Sequence, residues 1–156
     1  MKTDYLNLYS NLNDFQIEII SSTSDWVNKY VRPFIEDSFV SGTSLSLKNE
    51  LAELGGFGPI FPEKYGGLNF DYISFGLMMK ELEKGDSSIR VASSIQTSLV
   101  MFAIYSYGTE EQKSKYLPPL SRGEIIGSFA MSEPSHGSDI SNLKTSFRTK
   151  NKDLVI

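Results

Sequence analysis

The residues best equipped for chemistry lie in Phe129-Ala-Met-Ser-Glu-Pro-Ser-His-Gly-Ser-Asp139. There an apolar run breaks into hydroxyls, a Glu-Pro, a Gly-Ser and an acid. Such a mixture can present backbone N–H groups and hydroxyls to a ligand from one stiff turn. The same residues also suit an ordinary turn at the end of a strand, and His136 reads as a solvated loop histidine. A second candidate is Arg90, in the first turn of an apolar helix, where the helix dipole disfavours a cation. Ser94 is four residues on and shares its face. An arginine, a serine and a helix N-terminus together can hold an anion, and a carboxylate best, through a bidentate fork. The alternative is an Arg90 paired at the surface with Glu83 or Asp86.

The elements that position these groups follow from periodicity and punctuation. Apolar residues recur at helical spacing from Asn13 to Phe39, with Pro33 expected to kink or divide the helix. A second helix, about 46–54, stops at Gly55-Gly56, a left-handed cap. The loop 55–69 is rich in Gly, Pro and aromatics, which suggests that it packs onto the body of the protein. Asp71 reads as the N-cap of a helix running to Gly85. Asp86-Ser-Ser opens the most apolar helix, about 87–107, with a face of Ile89, Ala92, Ile95, Leu99, Phe102 and Ile104 expected in the core. Thr109-Glu-Glu-Gln112 is a capping box for a short helix that Pro118-Pro119 is expected to end. After Gly123 the pattern changes. Residues 125–131 and 143–149 read as strands, Asn151-Lys152 as a turn, and 154–156 as the start of a third strand. The expectation is a mainly α chain. A helical domain occupies 1–122, and 123–156 opens a β domain that continues beyond Ile156, because strands left in so short a remnant are marginal.

Composition narrows the function. The chain has 156 residues and a net charge of −4, without the basic field that holds nucleic acid. It has no cysteine and one histidine, which excludes disulfides, thiolate nucleophiles and Cys- or His-rich metal sites within these residues. No apolar run approaches membrane-spanning length and the N-terminus has no apolar signal core, so a cytoplasmic location is expected.

One ordered set of residues is specific: Tyr65-Gly-Gly67, Glu81-Leu-Glu83, Asp86-Ser-Ser88, Tyr107-Gly-Thr-Glu-Glu-Gln-Lys113, Lys115-Tyr-Leu-Pro118, Gly123-Glu124 and Ser132-Glu-Pro…Gly-Ser-Asp139. In this order they resemble the acyl-CoA dehydrogenases, from about residue 13 to the C-terminus. The resemblance implies the family's N-terminal helical domain followed by the first strands of its middle β domain. It implies FAD as cofactor, an acyl-CoA thioester as substrate, electron-transfer flavoprotein as acceptor and a homo-oligomer, a tetramer in full-length members. By the same match Phe129 and Met131 lie against the isoalloxazine, Ser132 bonds the flavin edge, and Ser138, beside Gly137, contacts flavin phosphate or the CoA moiety. Many family members have Thr where Ser132 stands; Ser keeps the hydroxyl without the methyl that fixes its rotamer.

The stretch Ile89–Met101 is most similar to the glutaryl-CoA dehydrogenase branch, where the residues matching Arg90 and Ser94 hold the distal carboxylate. That implies oxidation and decarboxylation of glutaryl-CoA to crotonyl-CoA. The family's catalytic glutamate lies in the C-terminal bundle and nothing here matches it, so no catalytic residue and no metal ligand is assigned, and the 156 residues alone are expected to be inactive. The competing readings are another short-chain acyl-CoA dehydrogenase or oxidase, and a non-catalytic helical module.

Overall fold

The computed structural model describes residues 7–41, 47–150 and 153–155. A 3-10 turn at Leu8–Asn11 precedes α1, Asp14–Tyr30. Asn13 opens α1 with a full capping box: its side chain accepts from Gln16 N, and the Gln16 side chain accepts from Asn13 N. At Pro33 the helix gives way to a 3-10 turn, Arg32–Phe34, and resumes as α2, Ile35–Ser41. The predicted division at this proline is present. Helix α3 covers Lys48–Glu53, and the chain leaves it through Gly55 at φ 81°. Helix α4, Tyr72–Glu83, is capped by Asp71, which accepts from Ser74 N at 2.6 Å. That bond is the main reason the Asp71 carboxyl lies below its ordinary pKa.

The next helical stretch differs from expectation. Instead of one regular helix, α5 (Ser87–Ser94) passes into a π-helical segment, Ile95–Met101, and then α6, Phe102–Tyr107. Its buried residues are Ile89, Ser93, Gln96, Thr97 and Met101, whereas Leu99 and Phe102 of the predicted core face are 43% and 41% exposed. Polar side chains turn inward because they have work to do there. Thr97 Oγ1 accepts from Gly58 N at 2.9 Å, and Ser93 Oγ donates to Gly56 O. A buried hydroxyl or amide is tolerated when it closes such bonds, and loops need side-chain partners for backbone groups that no helix or sheet satisfies. The wider π turn changes the facing of the residues after it, as insertions of this kind do.

Helix α7 runs Glu110–Ser121 from the predicted capping box at Thr109. Pro118 and Pro119 do not end it; both lie inside. Two helical N–H groups are missing, but the carbonyls they would have met belong to exposed Ser114 and Lys115 and can face water. Leu117 and Leu120, at 0% and 3% exposure, anchor the last turn in the core. The freed C-terminal carbonyls are used, with Pro118 O accepting from Arg122 N and Ser121 Oγ, and Pro119 O from Glu124 N at 3.0 Å.

The core has two parts. One joins α1, α3 and α4 through Ile19, Trp26, Val27, Leu51, Met78 and Leu82, with Trp26 Nε1 also donating to Glu50 O at 3.1 Å. The other gathers Phe61, Tyr65, Met101, Leu117 and Leu120. The aromatic loop therefore packs inward, as its composition predicts. Helices α1 and α4 run parallel. Gln16 Nε2, at the start of α1, reaches Asp71 Oδ2 at the start of α4, while Gly85 after α4 sits against Val27 and Val31 near the end of α1.

Tyr65 also fixes the loop to α7. Its hydroxyl donates to Glu110 Oε2 at 2.7 Å, and Lys113 Nζ stands 3.1 Å from Glu110 Oε1. The phenol first, then Lys113 and Lys64, pull the Glu110 carboxyl down to about 2 from its ordinary 4.5. A depressed carboxylate stabilises the fold above its unfolded value, and that contribution is lost as pH falls from about 4.5 through about 2. Tyr65→Phe should raise the Glu110 pKa, read from the carboxyl carbon shift in an NMR titration. An unmoved midpoint would mean that the lysines alone set it.

The C-terminal part is not the three strands expected. Residues 125–131 form no strand among the described residues; Ile125 O and Gly127 N are bonded by the Gln96 side chain. Of 143–149 only the end is strand, because Glu133 takes the amides of Lys144 and Thr145. Arg148–Lys150 (β1) pairs antiparallel with Asp153–Val155 (β2), Thr149 opposite Leu154. The predicted turn at Asn151-Lys152 and the final residue, Ile156, lie outside the described residues.

Candidate functional site

The segment after α7 crosses the outside of α5 and the π-helical turn. Gln96, 1% exposed, reaches it with both ends of its amide. Nε2 donates to Leu120 O and Ile125 O, each at 3.0 Å, and Oε1 accepts from Gly127 N at 3.0 Å. Gly127 lies so close to the helix that a Cβ there would stand 2.4 Å from Val100 Cγ1. Between segment and helix is a cleft of about 350 Å³, lined by Phe57, Ala92, Ile95, Gln96, Leu99, Ile126, Gly127, Ser128 and Phe129. The wall is mainly apolar with one buried amide, which suits a planar or aliphatic ligand group. Leu99 belongs to this wall and not to the predicted core.

Beyond Phe129 the chain turns at Glu133–His136, where the two backbones exchange hydrogen bonds of 2.9 and 3.1 Å. The Glu133 carboxylate then accepts from Lys144 N at 2.9 Å and from Thr145 N. With the Thr145 side chain as the largest contributor, these donors hold the Glu133 carboxyl below its ordinary pKa. Glu133 thus closes the loop on itself and leaves its outer rim to solvent. Phe129 is 50% and Met131 37% exposed, and Ser132, Gly137 and Ser138 are exposed as well. A Cβ built on Gly137 meets nothing within 4 Å. All five residues predicted to face a cofactor are therefore solvent-accessible, and of them Phe129 lines the cleft. His136, expected to be solvated, has its side chain only 14% exposed, with Nδ1 buried 3.6 Å from Glu133 Oε2, beyond hydrogen-bond distance.

Arg90 and Ser94 are neighbours on α5, as their spacing predicts, with Nη1 3.4 Å from Ser94 Oγ. The stronger partner is Glu83: Arg90 Nε stands 2.6 Å from its Oε2, and this contact is the main reason the Glu83 carboxyl lies below its ordinary pKa. The guanidinium is about one-third exposed, with Nε on Glu83 and Nη1 on Ser94 Oγ. Neither Arg90 nor Ser94 lines the cleft. Gln96, Gly127 and Phe57 are site residues that the sequence reading missed; the signal for Gln96 was an amide in the middle of an apolar helix.

Residues 13–124 match the model of the acyl-CoA dehydrogenase N-terminal domain. The chain belongs to the acyl-CoA dehydrogenase family. It is 36% identical over 147 residues to the short-chain-specific acyl-CoA dehydrogenase of Megasphaera elsdenii, a match that covers 92% of this chain and 38% of that one. To the glutaryl-CoA dehydrogenase of Desulfococcus multivorans it is 31% identical over 148 residues, covering 92% and 37%. The structure of a glutaryl-CoA dehydrogenase from Mycobacterium smegmatis in complex with FADH2 superposes with a TM-score of 0.91 at 34% identity, over 96% of this chain and 39% of that one. The chain thus spans under two-fifths of the length of these acyl-CoA dehydrogenases. Among the described residues no helix is long and apolar enough to cross a membrane, and no group of His, Cys, Asp or Glu could hold a metal ion.

Proposed function

We propose that this chain is the N-terminal part of an FAD-dependent acyl-CoA dehydrogenase that oxidises the Cα–Cβ bond of glutaryl-CoA, with decarboxylation to crotonyl-CoA. The division is that of the sequence reading, a helical domain over 1–122 and the start of a β domain from 123. The observation that carries the cofactor is the open rim. Phe129 and Met131 expose apolar surface beside the hydroxyls of Ser132 and Ser138, on a loop stiffened by Glu133. A flavin fits residues of this kind: an apolar face to lie on, donors for its ring edge, and bare backbone at Gly137 where a phosphate can approach. Ser132 would donate to the flavin edge, and Ser138 to a phosphate of FAD or of CoA. Bound flavin supplies the hydride acceptor at N5. These residues bind and orient; the base that takes the α-proton lies outside the chain, so the 156 residues alone are inactive.

Arg90 supports the glutaryl assignment. Its Nε is held by Glu83, Ser94 stands beside it, and the remaining N–H groups can take the distal carboxylate. The kinship with a short-chain-specific enzyme favours a second reading, an unsubstituted short acyl-CoA. Electron-transfer flavoprotein as acceptor, a homotetramer and a cytoplasmic location complete the proposal. It is tested with the full-length protein, which should purify with flavin absorption bands and release CO2 from glutaryl-CoA in the presence of an acceptor dye. A colourless protein that takes up no FAD would replace the proposal with a non-catalytic helical module.

A further inference from the structure

We infer that Gln96 is a positioning residue for the wall that carries Phe129, and through it for bound flavin; this rests on the flavin reading above. Three observations combine. First, an amide sits at 1% exposure in the middle of the helical run from Ser87 to Tyr107. Burying an amide is unfavourable unless its donors and acceptor are all used. Here they are: Nε2 donates to Leu120 O in the last turn of α7 and to Ile125 O in the segment that follows, while Oε1 accepts from Gly127 N in the same segment. Second, the segment so held makes no sheet hydrogen bonds from 125 to 131 among the described residues, so the bonds from Gln96 to Ile125 O and Gly127 N are its ties to the helix. Third, Gln96 is in the π-helical turn, and Gly127 is pressed onto Val100 in the same turn. The amide sets the height of the segment above the helix, and the glycine sets how close it comes. Two residues further on is Phe129, which lines the cleft from the other side. A change at Gln96 therefore moves the aromatic face without touching it.

Gln96→Glu in the full-length protein separates positioning from bulk. The carboxylate keeps the size of the side chain and can still accept from Gly127 N, but it has no hydrogen for Leu120 O or Ile125 O. Gln96→Leu removes all three bonds. Both variants should weaken FAD binding by about tenfold or more, alter the visible absorption envelope of the flavin that remains, and speed amide exchange at Ile126–Phe129. Gln96→Glu carries the test alone if Gln96→Leu does not fold. A variant with a lower melting temperature but unchanged FAD affinity and flavin spectrum would overturn the inference and leave the flavin reading intact. If the unmodified protein binds no FAD, both fall.

Discussion

Gly67→Ala should destabilise the protein by on the order of 4 kcal/mol. A Cβ at Gly67 would stand 1.9 Å from Phe61 O, 2.4 Å from Phe61 C and 2.8 Å from Phe61 Cα. Those are backbone atoms, so no rotamer change relieves the overlap. The chain must part there, and the parting disrupts a closely bonded loop: Gly67 N and Tyr65 N both donate to Pro62 O, Asn69 N donates to Phe61 O, and Leu68 N and Phe70 N donate to Pro59 O. The same loop carries Phe61 and Tyr65, each 3% exposed or less, into the second core cluster. Losing that seat removes much of the ~5–15 kcal/mol that a domain of this size usually has. Gly76→Ala makes the matching control. It lies within α4 with nothing within 4 Å of a built Cβ, and alanine there should add about 0.5–1 kcal/mol. Denaturant melts of the two variants should move in opposite directions. A Gly67→Ala protein as stable as the original would show that the loop opens at no cost.

Arg90→Ala should cut the preference for glutaryl-CoA over butyryl-CoA, taken as the ratio of kcat/KM, by roughly 10- to 100-fold. That is the factor expected from losing a charge-assisted bond of about 1.5–3 kcal/mol. The change should fall on glutaryl-CoA, leaving butyryl-CoA turnover close to its starting value. Arg90→Lys keeps the charge but not the planar fork that can serve Glu83 and a substrate carboxylate at once, so it should recover only part of the preference. Glu83 gives the test its edge. With Arg90 Nε 2.6 Å from Glu83 Oε2, an arginine present only for that ion pair would leave the substrate ratio where it was when removed. An unchanged ratio would therefore sink the glutaryl assignment while leaving the flavin site standing.

The helical half of the fold was legible because its signals are local. Asn13, Asp71, Asp86 and Thr109 all cap helices with their own side chains, and Pro33 divides the first helix, as a reader of propensities would expect. Where expectation and structure part, a long-range contact decides. Pro118 and Pro119 stay helical because Leu117 and Leu120 are buried on either side of them. Residues 125–131 look like a strand by composition, yet strand is a property of a pair, and no partner strand stands beside them among the described residues. Leu99 and Phe102 look like core because apolar residues at helical spacing are core when everything they pack against is at hand. Here Leu99 lines a cleft and Phe102 stands 41% exposed, while the polar face of the same helix points inward to hold loops. The loop residues Phe129 to Ser138 enter the candidate site by resemblance alone, whereas Gln96 and Gly127 were illegible, because their contacts join positions some thirty residues apart.

The parallel arrangement of α1 and α4 has a consequence for how the chain folds. Their starts meet at Gln16 and Asp71, 55 residues apart, so the first helix gains its principal partner only after a long loop has closed. Helices α4 and α5, in contrast, are separated by only Lys84–Asp86 and can pair as soon as they form. Contact distance along the chain thus favours early pairing of α4 with α5, with the docking of α1 on α4 waiting for the longer closure.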